Sequence, residues 1–139
     1  MSVQILPLPV PEPNADSRAY WAAAAERRLV VRQCRACGQR HFMPRGQCPA
    51  CWSDELEWIE CSGAGTVYSL SVVHRAPTPD FAGIAPYVIA LVDLAEGPRM
   101  FANLVGPGAL EAAIGDRVQL SFERRGESAV VPQFMRVQP

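Results

Sequence analysis

Apolar and polar positions change rhythm along this chain. Between Asp16 and Leu29 the apolar residues Trp21, Ala24, Ala25 and Leu29 recur at helical spacing. This predicts an amphipathic helix running to about Arg28, with Asn14 or Asp16 capping its first turn. Residues 29–33, 39–43 and 56–61 are short strand-like pieces with little core of their own. Beyond Gly63 the period becomes two. Tyr68, Leu70 and Val72 are expected on one face and Ser69 and Ser71 on the other, and Val118, Leu120 and Phe122 alternate with Gln119, Ser121 and Glu123. Residues 87–92 are nearly all apolar, which reads as a strand covered on both faces. Residues 100–105 and 130–137 complete five strands, with a short helix over 108–114 between the third and fourth. That succession is the order of an OB-type Greek-key barrel.

The middle segment carries the chemistry. Cys34-Arg35-Ala36-Cys37 and Cys48-Pro49-Ala50-Cys51 are two C-x-x-C pairs separated by ten residues. Each pair can aim two thiolates at one point, so both together complete a tetrahedron around a soft divalent ion. Gly38 supplies the positive φ that turns backbone N–H groups toward sulfur, and Pro49 stiffens the second turn. Zinc is the expected occupant. Rubredoxin-like iron uses the same ligands, and a dithiol redox pair would need a βαβ context that neither pair has. Four thiolates leave no position for water or substrate, so the site is read as a staple and not a catalyst. Cys61 reads as a small buried hydrophobe. The expected fold class is therefore mainly β: an N-terminal helix and rubredoxin-like zinc ribbon followed by a five-stranded OB-fold barrel. Its divisions are an extended arm over 1–15, a helix over 16–31, the ribbon over 32–62 and the barrel over 63–139.

Composition narrows the function classes. Pro7, Pro9, Pro11 and Pro13 favour a polyproline-like arm. No apolar run is long enough to span a bilayer and no signal-peptide pattern opens the chain; with thiolates committed to metal, the expectation is cytoplasmic. All thirteen basic residues are arginine, yet the net charge is -1. A nucleic-acid binder of this size normally shows a basic excess.

Tyr20-Trp21, Arg28-Leu29, the two cysteine pairs, Trp58, Gly63-Ala64-Gly65-Thr66-Val67-Tyr68-Ser69, Val73-His74, Pro86-Tyr87, Leu91-Val92, Glu96-Gly97-Pro98-Arg99 and Gly115-Asp116 with Val118 together resemble the bacterial and archaeal zinc-ribbon plus OB-fold family associated with acyl-CoA metabolism. The resemblance covers the chain from about Asp16 onward. It implies a small, non-catalytic accessory subunit that binds a thiolase-like enzyme in a hetero-oligomer and helps complete or stabilise its acyl-CoA site. The nucleophile and bases would then belong to the partner. One departure is that Trp52-Ser53 follows Cys51 where many knuckles have glycine, which predicts a reshaped second turn missing one N–H···S hydrogen bond.

Coenzyme A presents phosphates that guanidinium forks recognise, so Arg32, Arg35, Arg40 and Arg45 around the knuckles are candidate contacts. The alternative is that they neutralise the dianionic tetrathiolate centre. His74, at a strand end, could donate a hydrogen bond or act as acid or base, or could simply cap the strand. Phe81, in a Pro/Gly-rich loop, is either a partner contact or a lid on its own barrel. His41 is a conceivable but unnecessary extra ligand, and Tyr20 and Trp21 are read first as core. Asp93 and Glu96 are assigned to turn chemistry, and Arg124-Arg125 to a solvated hairpin tip. Two other functions stay open: single-stranded nucleic-acid binding, since OB-folds and zinc ribbons both do this, and a self-sufficient enzyme using His74.

Overall fold

Residues 7–137 are described by the structure, a computed structural model; residues 1–6 of the expected arm and residues 138–139 lie outside that range. The described part of the arm lies on the protein itself. Arg125 Nη1 donates to the Pro9 carbonyl at 3.4 Å, and Val10 sits against Gly126. Asn14 and Ser17 then exchange hydrogen bonds, Asn14 N–H to Ser17 Oγ at 3.0 Å and Ser17 N–H to Asn14 Oδ1 at 2.9 Å. Helix α1 (Arg18–Ala25) follows. It stops earlier than its pattern predicts. Arg27 adopts φ 62°, and the Arg28 N–H returns to the Ala23 carbonyl, which closes the last turn.

Strands β1 (Val30–Cys34), β2 (Arg40–His41) and β3 (Leu56–Glu60) form the ribbon sheet, in the order β2-β1-β3. The barrel is built from β4 (Ala64–Val73), β5 (Tyr87–Leu94), β6 (Arg99–Val105), β7 (Arg117–Arg125) and β8 (Ala129–Arg136). It closes in the order β4-β5-β6-β8-β7, with β4 also pairing β7 and with β6 and β8 parallel. A short helix α2 (Pro79–Ala82) interrupts the loop after β4, and a 3-10 turn (Ala109–Glu111) links β6 to β7. This is the expected barrel.

Two strand readings are corrected. A bulge between Val67 and Ser69 shifts the phase of β4, so Tyr68 turns out of the barrel, 48% exposed, while Val67 is buried and Leu70 and Val72 pack on the core. One extra residue bends the strand enough for it to pair with both β5 and β7. Strand β5 is not covered on both faces. Val88, Ala90, Val92 and Leu94 are buried and their neighbours are only partly covered, so alternation holds despite the apolar sequence.

A single core runs from ribbon base to barrel. Tyr20, Leu29, Val31 and Cys61 join Val67, Val92, Met100, Val118 and Phe134 in one buried cluster. Gly65 is required where the barrel closes, because a Cβ there would lie 2.6 Å from Val92 Cγ1 and 3.2 Å from the Asp93 carbonyl oxygen. Gly65→Val is accordingly expected to destabilise the barrel by about 1–3 kcal/mol through overpacking, read as a lower urea midpoint.

Candidate metal centre and its surroundings

Hairpin geometry brings the four cysteines together. Their sulfurs all lie within 4.8 Å of one another, with Cys34 to Cys51 and Cys37 to Cys48 both at 3.6 Å. A tetrahedron with zinc–sulfur bonds of about 2.3 Å has edges near 3.8 Å, so the set fits one zinc ion closed on all sides. Cys34 and Cys48 are buried while Cys37 and Cys51 are exposed. The Cys37 and Ala36 backbone N–H groups pull the Cys34 thiol down to about 7 and Cys48 is lowered as well, whereas the neighbouring thiols and burial hold Cys37 and Cys51 up, so a bound cation would supply the remaining pull toward four thiolates.

The second knuckle is not reshaped. Gly38 takes φ 80° and Trp52 takes φ 70°. The Gly38 N–H donates to the Cys34 carbonyl at 2.8 Å and the Trp52 N–H to the Cys48 carbonyl at 2.9 Å, while the Cys34 and Cys48 N–H groups each donate to the residue two beyond their knuckle, Gln39 and Ser53. Backbone N–H groups of Gln39 and Ser53 face Cys37 and Cys51 in matching positions. The expectation of a missing N–H···S hydrogen bond is therefore overturned. Tryptophan adopts the glycine conformation because the knuckle's own bonds impose it, although a non-glycine residue there costs about 1–2 kcal/mol. The ring is 76% exposed and contributes little packing in return. Trp52→Gly is expected to raise the unfolding free energy by about 1 kcal/mol, with metal content unchanged, in a paired denaturation and metal assay.

The arginines around the knuckles are mostly engaged. The Arg32 guanidinium carbon lies over the Trp58 ring, 4.2 Å from its centre, across the β1–β3 register, and desolvation lowers its pKa. Arg35 pairs with Glu57 at 3.2 Å. Arg40 donates to Gln33 Oε1 at 3.1 Å and to the Glu96 carbonyl at 2.9 Å, tying ribbon to barrel. The Ser62 N–H strengthens that junction by donating to Glu96 Oε2 at 2.9 Å. Cys61 is buried beside Glu96, and that burial pushes its thiol up to about 12. Arg45 lines a surface cleft with Asp16, Trp52 and Asp54, and of the four arginines it is the one with no ion pair, hydrogen bond or ring stack among the described residues.

His41 does not join the ligand set. It is 9% exposed, and among the described residues neither ring nitrogen has a hydrogen-bond partner. Desolvation, with Arg45 and Arg32 nearby, holds its pKa below the ordinary value. A histidine that stays neutral when folded but protonates when unfolded contributes stability above its unfolded pKa of about 6.5, and that stability is lost as pH falls below it. His41→Gln is expected to flatten the pH dependence of the urea midpoint between about pH 7.5 and 5.5, relative to the parent chain.

His74 stands exposed just beyond β4, apart from the metal centre. Phe81, on α2, packs beside Tyr87 at 5.7 Å and near the Arg125 guanidinium at 6.0 Å. Arg125 is not a solvated tip. It sits within β7 with its side chain 12% exposed, paired to Glu123 at 3.4 Å. Sequence reasoning also missed the Arg99 guanidinium, stacked 3.3 Å from the Tyr68 ring centre and held by Asp93 at 2.7 Å. The bulge creates that contact, and no local pattern signals a bulge.

Comparison with known proteins follows the same two-part organisation. Residues 21–57 match the family described as "ChsH2, rubredoxin-like zinc ribbon domain", and residues 58–123 match "ChsH2, C-terminal OB-fold domain". A "DUF35 domain-containing scaffold protein" of Methanocaldococcus jannaschii is 37% identical over 124 residues, covering 86% of this chain and 87% of that protein. A "Benzoylsuccinyl-CoA thiolase subunit BbsA" of Thauera aromatica is 36% identical over 115 residues, 79% of this chain and 69% of that one. A "Probable enoyl-CoA hydratase alpha subunit" of Thermomonospora curvata is 38% identical over 131 residues, 94% of this chain, which spans only 40% of that longer relative. The solved "Ltp2-ChsH2(DUF35) aldolase" superposes with a TM-score of 0.80 at 38% identity, covering 91% of this chain and 98% of that one. With its tetrathiolate ribbon joined to a five-stranded barrel, the chain belongs to the DUF35 family of zinc-ribbon plus OB-fold proteins.

Proposed function

We propose that this protein is a non-catalytic accessory subunit that docks on a thiolase-like enzyme of acyl-CoA metabolism and helps complete or stabilise its acyl-CoA site. The observation that carries the reading is the commitment of its reactive groups. Four thiolates converge on one closed metal shell, Cys61 is buried as a neutral thiol, and His74 stands alone on the surface. A nucleophile needs a base within hydrogen-bond reach, and a tetrathiolate metal offers substrate no open position. The names of the relatives support the same view, since they describe subunits and a scaffold.

Arg45 and His74 are the proposed points from which the chain reaches acyl-CoA or the partner, because neither is held in an ion pair among the described residues. Arg32, Arg35 and Arg40 serve the ribbon's own electrostatics, and Phe81 faces the partner from the rim of the barrel. Single-stranded nucleic-acid binding is less well supported. Five arginines, Arg28, Arg35, Arg99, Arg125 and Arg136, are already ion-paired, and the net charge is -1.

Co-expression with a thiolase-like enzyme from the same source tests the proposal. The expected result is a co-eluting complex whose turnover exceeds that of the larger enzyme alone. A chain that elutes separately and leaves turnover unchanged refutes it.

A further inference from the structure

The barrel closes through one short seam. Strands β6 and β8 pair only at Leu104 with Phe134 and at Val105 with Met135, whereas the other neighbouring strands share longer ladders. Below that point lies Pro132, which has no N–H to extend a ladder. Side chains take over at the fork. The Asn103 N–H donates to Gln133 Oε1 at 2.8 Å, and Gln133 Nε2 donates to Asn103 Oδ1 at 3.2 Å and to Glu123 Oε2 at 3.3 Å. Beneath this clasp the seam opens into a cleft of about 440 Å³ between barrel and ribbon. Its walls are mostly apolar, with Trp21, Phe42 and Met43 from the helix and ribbon and Phe81, Phe101 and Pro132 from the barrel, and Arg125 reaches its rim. Met43 and Phe101 are 60% and 59% exposed.

The direction of the Asn103 N–H fixes what this edge offers. Along a strand, main-chain N–H and C=O groups alternate between the two edges with period two. Asn103 faces the seam, so the N–H and C=O of Phe101 face it too. Among the described residues, no strand pairs with β6 at Phe101 on that side. A half-open edge beside an apolar wall is a template for another strand.

We propose that this seam receives an extended, apolar segment of the partner enzyme, which adds to β6 by bonding the Phe101 N–H and C=O. The inference rests on the accessory-subunit reading and names the surface that reading leaves unspecified. The occupant's chemistry follows from the walls. An exposed β-edge is satisfied by extended peptide backbone, and a segment seated on Phe101, Phe42 and Met43 gains from apolar side chains on alternate positions. It carries no charge at its centre, because Arg125 is already paired with Glu123 and Glu123 with Gln133.

Amide hydrogen exchange on the unmodified chain, free and in complex with the co-purified thiolase-like enzyme, is the first test. The Phe101 amide is expected to exchange rapidly in the free chain and about tenfold or more slowly in the complex, as a newly buried hydrogen bond requires. Phe101→Pro removes the ring together with an N–H that β5 does not use, and is expected to weaken the complex about tenfold or more, while Phe101→Ala, which removes the ring but keeps the N–H, weakens it less, so the difference between the two variants reads the backbone bond. A complex that forms normally but leaves the Phe101 amide and the Phe101→Pro affinity unchanged overturns the seam and spares the subunit reading. Failure of any complex to form removes the subunit reading first. Protection already present in the free chain would also overturn the proposal. Its loss on deleting residues 1–6 would assign the seam to the chain's own start, and its loss on dilution to a second copy.

Discussion

Cys34→Ser is expected to strip the metal and unfold the ribbon, leaving a destabilised barrel. Structural zinc sites of this kind contribute on the order of 10 kcal/mol of binding free energy, which becomes folding free energy wherever the unfolded segment has no preformed site. The ribbon sheet has little else to hold it. Strand β2 is two residues long, and β3 contributes no residue to the buried set. Cys34 is fully buried at the end of β1, where its N–H also donates to Gln39, so loss of its thiolate removes a metal ligand next to the hairpin's first backbone bond. The measurement is metal content per chain together with hydrogen exchange along residues 30–60. Exchange should rise throughout β1 and β3, while the amides that β5 and β6 exchange with each other, those of Val88, Ala90, Met100 and Ala102 among them, stay protected. Because Leu29 and Val31 share the barrel's core, the barrel's midpoint should fall as well. A serine variant that keeps full protection in the ribbon contradicts this account.

Phe134→Ala is expected to be the most damaging truncation in the barrel. Phe134 is 0% exposed and lies where β8 meets both neighbours, opposite Leu120 on β7 and Leu104 on β6. Removing a buried phenyl ring costs about 3–5 kcal/mol through lost transfer free energy plus the cavity left behind. Domains of ordinary stability unfold with about 5–15 kcal/mol, so this single change takes a large share. The site can relax little, since the Asn103–Gln133 clasp sits beside it and β8 is held on both sides. The urea midpoint should drop steeply with the slope unchanged. Leu110→Ala is the control: Leu110 is 48% exposed, and its truncation should change stability by about 0.5 kcal/mol or less.

The metal centre was legible in the sequence because its determinant is local: two C-x-x-C pairs at fixed spacing leave few other arrangements. The five barrel strands were legible because period two survives in β7 and in β4 beyond its bulge, and glycines and prolines mark the turns. What escaped depends on contacts between distant residues. The bulge at Tyr68 exists because β4 must curve to meet both β5 and β7, a requirement of barrel closure that no window of β4 contains. The apolar run of β5 hides an alternation, because half-covered Ile89 and Leu91 look in sequence like buried Val88 and Ala90. Trp52 shows the reverse: the residue pattern implied a changed turn, and the knuckle's hydrogen bonds kept the turn and bent the tryptophan to it. The arginines illustrate the limit for function. Their clustering around the knuckles is visible at once, yet their engagement by Glu57, Trp58 and the Glu96 carbonyl depends on strands and loops more than twenty residues away in the chain.

The central physical claim is that four sulfurs close a single metal ion and leave it no catalytic position. X-ray absorption at the zinc edge of the purified chain tests this directly. The account predicts one zinc per chain with four sulfur scatterers at about 2.3 Å and no lighter ligand. A natively folded chain without metal, or a zinc shell in which oxygen or nitrogen replaces a sulfur, would contradict it.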